Sequence, residues 1–356
     1  MERITSHFAR YLEGSLFSIF TLPALSYASF MHHPVSSSIS SVANSSLSRR
    51  KFLGQASLGV AGALGAWGVE GDDQEGRFQL RYCLASCMYG QLPLDVILPE
   101  VRKGGAAAID LWPMKHGNQR EQAEDMGWEV FQSKLEQHQI TVGCLTRYDL
   151  GPFGVDQEME IAGKLKCPLI VTGGKGPVRL EGQSLKQGVS DFVEKLKPHL
   201  EVTGRHGVTL AIENHANNLI HTPDSLRWLA EFGSDLPLGI ALAPYHLETL
   251  GLGSKELAEL IRELGPKLSM FYAWQHGMGC MTKLPKLQEL LQMPGRGSLD
   301  FTPILSALKS IQYDGWTEVF MHPVPRGIPI LPEPLEVTRE INRARRYLES
   351  RLNTLQ

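Results

Sequence analysis

The sequence predicts a single (β/α)8 TIM barrel preceded by an N-terminal extension. From Phe78 onward, short apolar runs alternate with amphipathic stretches, which is the pattern of repeated strand–helix units. Eight such runs lie between Gln79 and Leu352, a span of 274 residues that suits one barrel. A doubly wound open sheet is the alternative. It would bind a ligand at one switch point and would not explain candidate ligands after four separate strands.

The predicted strands are short and apolar, and the stretches between them have helical periodicity. The strands are expected at residues 80–85, 106–111, 140–145, 169–172, 208–213, 238–242, 268–272 and 316–320. The helices are expected at residues 93–103, 121–137, 156–165, 185–202, 224–232, 255–264, 301–309 and 336–352. Thr222 followed by Pro223 is typical of a helix start, because threonine caps the first turn and proline suits its first position.

The N-terminal segment has the pattern of a bacterial twin-arginine export signal. Residues 48–53 read Ser-Arg-Arg-Lys-Phe-Leu, and residues 53–69 carry no charge. The glycines in that uncharged stretch would weaken a spanning helix, so we expect no permanent membrane span. We therefore assign residues 1–76 to a signal and linker and residues 77–356 to the barrel, and we predict a periplasmic location.

Composition excludes some classes of function. The chain has 356 residues, a net charge of −3 and a pI of about 6.5, so no overall basic field would attract nucleic acid. Five cysteines occur without a CxxC pair, and their odd number in a long chain argues against a disulfide framework. An oligomer is compatible with this composition.

Candidate metal ligands follow four of the predicted strands. Glu213 ends the fifth strand and His215 follows it, His246 follows the sixth, His276 follows the seventh, and Glu318 lies in the eighth. The steps from Glu213 to His246, to His276 and to Glu318 are 33, 30 and 42 residues, about one strand–helix unit each. A barrel brings such positions to one mouth. Two carboxylates with two or three imidazoles predict a site for a divalent cation.

The same stretches resemble the sugar phosphate isomerase/epimerase family, the xylose isomerase-like barrels. The segments that carry the resemblance are residues 210–215, 243–246, 275–276, 294–301 and 315–318. In that family Glu, Asp, His and Glu after strands five to eight hold the metal, and a second His follows the Asp by three residues. The resemblance implies that Glu213, His276 and Glu318 are ligands and that His246 contacts the substrate.

One family ligand is absent from this sequence. Ala243 stands where the family has the aspartate, and an alanine side chain cannot bind a metal. Either His246 or His215 takes that place, or the site binds metal weakly or not at all. The loss of a carboxylate shifts the preference towards Zn, Co or Mn over Mg.

The resemblance also implies a chemistry. Glu213 and Glu318 would move a proton next to a carbonyl while a metal stabilises the enediolate. Substrate contacts are expected from polar and aromatic side chains near the strand ends. They are His246, Trp274, Arg296, His116 and Arg147.

The predicted function is isomerisation or epimerisation of a small carbohydrate or carbohydrate derivative, with a divalent metal (Mn, Co, Zn or Mg). A keto-sugar lyase or dehydratase is the nearest alternative, because it begins with the same proton abstraction. A third hypothesis is a non-catalytic carbohydrate-binding barrel, because Ala243 stands where the family has a metal ligand. An endonuclease-like phosphodiesterase ranks last, since that chemistry needs more ligands than this chain offers.

Overall fold

A computed structural model describes residues 77–355 and shows a closed barrel of eight parallel strands in sequence order. The strands are β1 Arg81–Ala85, β2 Ala108–Leu111, β3 Thr141–Thr146, β4 Leu169–Gly173, β5 Thr209–Glu213, β6 Leu238–Leu242, β7 Leu268–Ala273 and β8 Trp316–Val319. The barrel closes where β8 pairs with β1, with Arg81 opposite Trp316. The strands are almost wholly buried, as expected for a parallel sheet covered by helices. The predicted fold class is confirmed.

Helices connect the strands and cover the outside of the barrel. They are α1 Leu94–Lys103, α2 Gln119–Met126, α3 Trp128–His138, α4 Asp156–Lys164, α5 Gly182–His206, α6 Pro223–Phe232, α7 Pro244–Glu248, α8 Ser254–Leu264, α9 Lys286–Glu289, α10 Phe301–Ser310 and α11 Pro334–Asn353. The predicted start of α6 is confirmed, because the Thr222 side chain accepts a hydrogen bond from the Ser225 backbone N–H at 3.3 Å.

The helices differ from the prediction in two respects. The stretch predicted as one helix at 121–137 forms two, α2 and α3, which meet at Gly127. The backbone of Gly127 has φ 84°, a left-handed value that glycine adopts without strain and that a continuous helix does not allow. The short helices α7 and α9 were not predicted, because each is too short to show a helical period.

The predicted export signal lies outside the described residues. Within residues 77–355, no helix is both long enough and apolar enough to cross a bilayer. All five cysteines are buried and unpaired in the structure.

Candidate active site

A cavity of about 380 Å³ lies at the carboxyl ends of the strands, the end at which barrel enzymes place their sites. Its lining contains five aromatic and five histidine side chains. The aromatic residues are Trp112, Tyr148, Tyr245, Trp274 and Phe320. The histidines are His116, His215, His246, His276 and His322. Glu213 is the carboxylate and Arg326 the cation in this lining.

The aromatic side chains form continuous walls. Tyr245 stacks on Trp274 with ring centroids 4.0 Å apart, and Trp274 meets Phe320 edge-on at 5.1 Å. Trp112 stacks on Phe320 at 5.3 Å and on Tyr148 at 6.3 Å. Flat apolar faces beside hydrogen-bonding groups suit a ligand with both an apolar face and hydroxyl edges, as a sugar ring has.

Glu213 and His246 face each other in the cavity. Glu213 ends β5, and His246 is the third residue of α7, which begins at Pro244, two residues after the end of β6. Their closest atoms, Glu213 Oε1 and His246 Nε2, are 3.7 Å apart, too far for a hydrogen bond. Both residues are 4 % exposed, and neither ring nitrogen of His246 has a hydrogen-bond partner among the described residues. A buried imidazole without partners needs them from a ligand or from water.

Burial shifts this pair in opposite directions. It raises the pKa of Glu213 well above its ordinary value, and the charge of Asp110 adds to the effect. It lowers the pKa of His246 to about 2, with further contributions from His215, His221 and His276. Both groups are therefore held in their neutral forms, Glu213 as an acid and His246 as a base. Two neighbouring groups whose environments push their pKa values apart have the pattern of an acid–base pair.

Three other cavity histidines, His116, His215 and His322, are also biased towards the neutral form. Burial, followed by the charge of Arg326, lowers the pKa of His116 to about 4 and that of His322 well below its usual value. Burial lowers the pKa of His215, and its Nδ1 lies 2.7 Å from the Ala216 carbonyl oxygen. That carbonyl can only accept, so Nδ1 carries the proton and Nε2 is left as an acceptor.

Two buried amides hold the strand ends in place. The Asn214 side chain donates to the Ala243 carbonyl at 3.0 Å and accepts from the Ala243 N–H at 2.8 Å, which joins the ends of β5 and β6. The Gln292 side chain accepts from the Trp274 indole N–H at 3.0 Å and from the His322 backbone N–H at 3.1 Å. The walls and the acid–base pair are thus positioned by hydrogen bonds that a ligand does not have to supply.

The structure corrects the prediction for Glu318. Its side chain is fully buried inside the barrel and does not line the cavity, and Phe320, two residues later on the same face of the strand, does. Glu318 pairs in register with Tyr272, whereas Trp274 is the residue of the β7 end that reaches the cavity. Glu318 therefore lies one layer below Glu213.

The layer under the cavity holds a second group of acids. Burial raises the pKa of Glu318 well above its usual value, and the neighbouring Asp110 adds to this shift. Burial also raises the pKa of Asp110 to about 6, against the lowering effect of its hydrogen bonds with Thr146. The Thr146 backbone N–H and hydroxyl donate to Asp110 at 3.0 and 2.6 Å, whereas both oxygens of Glu318 lack a partner.

These positions do not fit the predicted metal site. No group of three or more His, Cys, Asp or Glu side chains within residues 77–355 is arranged to hold a metal ion. Glu213 and His276 reach the cavity, but Glu318 is below it, and Ala243 supplies no ligand in place of the family aspartate. His215 and His246 lie together, with ring centroids 4.2 Å apart, yet they do not complete a ligand set. The predicted ligand set of Glu213, His276 and Glu318, with His246 or His215, does not assemble.

The predicted substrate contacts divide into two groups. His246, Trp274 and His116 line the cavity, and their binding role stays a prediction. Arg296 and Arg147 do not line it. Arg296 donates twice to Glu340, at 2.6 Å each, and Arg147 pairs with Asp149 at 2.7 Å. Both arginines are held outside the cavity by carboxylates, and no sequence pattern indicated these pairs.

Sequence reasoning missed several residues of the site. Arg326 lies in a loop after β8, seven residues beyond the end of that strand, where no periodicity constrains its position. Gln292 lies in the long connection between β7 and β8 and has no motif around it. Phe320 was predicted only as a strand residue. Its parity with Glu318 was the one signal available, since both lie on the same face of the predicted strand at residues 316–320.

Comparison with known proteins agrees with this architecture. The family model for the xylose isomerase-like TIM barrel matches residues 98–347. The chain therefore belongs to the xylose isomerase-like TIM barrel family. No curated protein matched the sequence.

Solved structures share the fold at low sequence identity. An L-ribulose 3-epimerase is 15 % identical with a TM-score of 0.58, covering 78 % of this chain and 95 % of its own. The IolI protein with a bound zinc atom is 16 % identical with a TM-score of 0.58, covering 77 % and 99 %. A probable 3-DHS dehydratase, AsbF from Bacillus anthracis, is 15 % identical with a TM-score of 0.55, covering 74 % and 97 %.

Proposed function

We propose that this protein is an enzyme that moves a proton next to the carbonyl of a small sugar or sugar derivative, as an isomerase or epimerase does. The observation that carries the proposal is the buried pair of Glu213 and His246, 3.7 Å apart in a cavity with aromatic walls. Structures with the same fold include sugar epimerases, which supports this choice of substrate class.

The neutral forms of the pair give each side chain a role. His246 Nε2 removes the proton from the carbon next to the carbonyl, and Glu213 donates its proton to the carbonyl oxygen, so that an enediol forms. The imidazolium then returns the proton to the former carbonyl carbon, and the Glu213 carboxylate takes the proton of the neighbouring hydroxyl. The carbonyl has moved by one carbon, and both side chains are back in their starting forms.

This arrangement suits isomerisation more than epimerisation. Acid and base lie side by side, so both reach the same side of a bound substrate and serve two adjacent carbons. Inversion at one carbon needs proton donors on opposite sides. No step in this scheme uses a metal, because the His, Cys, Asp and Glu side chains of residues 77–355 do not form a site for one.

A non-catalytic carbohydrate-binding barrel is the second candidate. Its support is the chemistry of the strand ends, where Trp274 and Phe320 present apolar faces to the cavity and Ala243 has no polar side chain. Such a protein would hold a sugar between aromatic faces without converting it.

Incubation in D₂O separates these functions. The purified protein would be mixed with a panel of aldoses, ketoses, sugar acids and sugar phosphates, and products would be followed by NMR. An isomerase incorporates deuterium next to the carbonyl and yields an isomer, whereas a lyase yields a dehydrated product. Binding to a panel member without deuterium exchange would contradict the proposal and favour the binding protein.

A further inference from the structure

Arg326 is a cation in the cavity whose charge is not neutralised by a carboxylate. Its guanidinium donates to the Pro323 carbonyl at 2.6 Å and to Cys280 Sγ at 3.2 Å. It forms no ion pair within 4.0 Å with any carboxylate of residues 77–355. A guanidinium has five N–H donors, so these contacts fix its orientation and leave three donors free.

Two other arginines of the barrel differ from Arg326 in their partners and their position. Arg296 and Arg147 are both held by carboxylates and both lie outside the cavity. The cavity lining itself has one carboxyl group, Glu213, which burial keeps in its neutral form. The positive charge of Arg326 thus lies in the cavity, and no carboxylate of the described residues balances it.

The effect of this charge reaches across the cavity. Arg326 contributes to the lowered pKa of His116, of His215 and of His322, which belong to three different loops. His116 and His322 stack with ring centroids 4.7 Å apart. A neutral imidazole keeps one N–H, so this stacked pair offers further uncharged donors in the same region.

We infer that Arg326 binds an anionic group of the substrate, so that the enzyme acts on an acidic sugar, either a sugar acid or a sugar phosphate. This inference rests on the proposed function and narrows its substrate class. The planar guanidinium matches the two oxygens of a carboxylate or phosphate, and such charge-assisted bonds are strong where water is largely excluded. Holding the acid group at Arg326 would fix which carbons lie beside Glu213 and His246.

The test compares three probes of related shape. Calorimetric titration of the full chain with D-glucuronate, D-glucose 6-phosphate and D-glucose measures the preference for charge. We expect one or both acidic probes to bind about tenfold or more tightly than D-glucose, the value of one charge-assisted hydrogen bond. Preference for glucuronate or for the phosphate distinguishes the two sources of the anion. Equal affinity for all three probes, including no binding of any of them, would overturn the inference.

Variants assign the preference to this side chain. Arg326→Met should abolish the preference for acidic probes, and Arg326→Lys should retain part of it. Lys283→Met is the matched control, since Lys283 is exposed in the Cys280 loop and does not line the cavity. Arg326→Met should also raise the pKa of His116 from about 4 in an NMR titration, whereas Arg326→Lys, which keeps the charge, should leave it low. Retention of the preference in Arg326→Met would refute the role of Arg326.

The two proposals fail in different ways. Tight, Arg326-dependent binding of an acidic probe without deuterium exchange on any sugar would leave this inference standing and refute the proposed function. Deuterium exchange on neutral sugars at rates equal to those on acidic sugars would refute this inference and leave the proposed function standing.

Discussion

Glu213 and His246 are held neutral by the same cause, their burial, which acts on an acid and a base in opposite directions. The buried carboxyl group keeps a proton that it would lose in water. The buried imidazole stays unprotonated where an exposed one would be partly protonated. Neither needs a partner residue to reach this state. The site therefore depends on water being excluded from the cavity, to which the surrounding aromatic walls contribute.

At the residue scale we predict a pH profile with a single falling limb. Glu213 must be protonated to donate, so the rate should fall as the pH rises through its raised pKa. His246 stays neutral down to a pH of about 2, so no loss from its protonation is expected above that value. The measurement is kcat/KM for deuterium exchange from pH 5 to 10. A rate that increases steadily with pH would contradict the assigned roles.

We also predict that removing metals leaves the enzyme active. Within the described part of the chain, side chains that could share an ion do not come together, and Glu318 is too deep to complete a set. Dialysis against EDTA should change neither the exchange rate nor the unfolding midpoint. A loss of activity with EDTA that Mn²⁺ or Zn²⁺ restores would show that a ligand set forms in solution.

At the scale of elements, β2 and β3 are joined inside the barrel by Asp110 and Thr146. The two hydrogen bonds hold Asp110 in place, and burial raises its pKa to about 6. The folded protein keeps this proton up to about pH 6, whereas the unfolded chain loses it near the ordinary value of 3.8. Stability from this group is therefore fully present at low pH and lost as the pH rises through about 4 to 6.

Asp110→Asn should remove this pH dependence. The rise in the pKa of Asp110 from 3.8 to about 6 corresponds to about 3 kcal/mol of stability. The free energy of unfolding should therefore fall less between pH 4 and 7 in the variant than in the parent. Urea denaturation at several pH values measures this. Thr146→Val is a useful companion, since it removes one hydrogen bond and keeps the acid. Identical pH dependence in Asp110→Asn and the parent would contradict the prediction.

The sequence predicted the strands and helices, but it did not predict how deep inside the barrel a given strand residue lies. All eight strands were predicted because each is a continuous apolar run, and Glu213, His215, His246 and His276 were expected near one mouth because they follow strands. Glu318 was misplaced because residues 318 and 320 share one face, and no local pattern shows which of them reaches the end of the barrel. Arg326 was missed because loop positions have no period.

At the scale of the whole molecule, we expect the N-terminal extension to have a role separate from that of the barrel. We propose that residues 48–53 direct export through the twin-arginine route to the periplasm. This route carries folded proteins, which would suit a barrel whose site depends on a completed core.

The export proposal can be tested by replacing Arg49 and Arg50 together with lysine, which keeps the charge and removes the arginine pair. We expect the variant to stay in the cytoplasm of a bacterial host, by fractionation and immunoblotting. Arg102→Lys with Arg343→Lys, both in the barrel, is a matched control for two such exchanges elsewhere. Unchanged periplasmic levels in the first variant would rule out the signal.

The central claim is that Glu213 and His246, without Glu318, transfer the proton. The most direct measurement is the rate of deuterium incorporation from D₂O into a sugar that the parent protein converts. Glu213→Gln and His246→Asn should each lower this rate by about 10²-fold or more, the usual contribution of a positioned acid or base. Glu318→Gln, the matched glutamate one layer below, should stay within a few-fold of the parent. Full exchange in Glu213→Gln and His246→Asn, or its loss in a folded Glu318→Gln, would contradict the account.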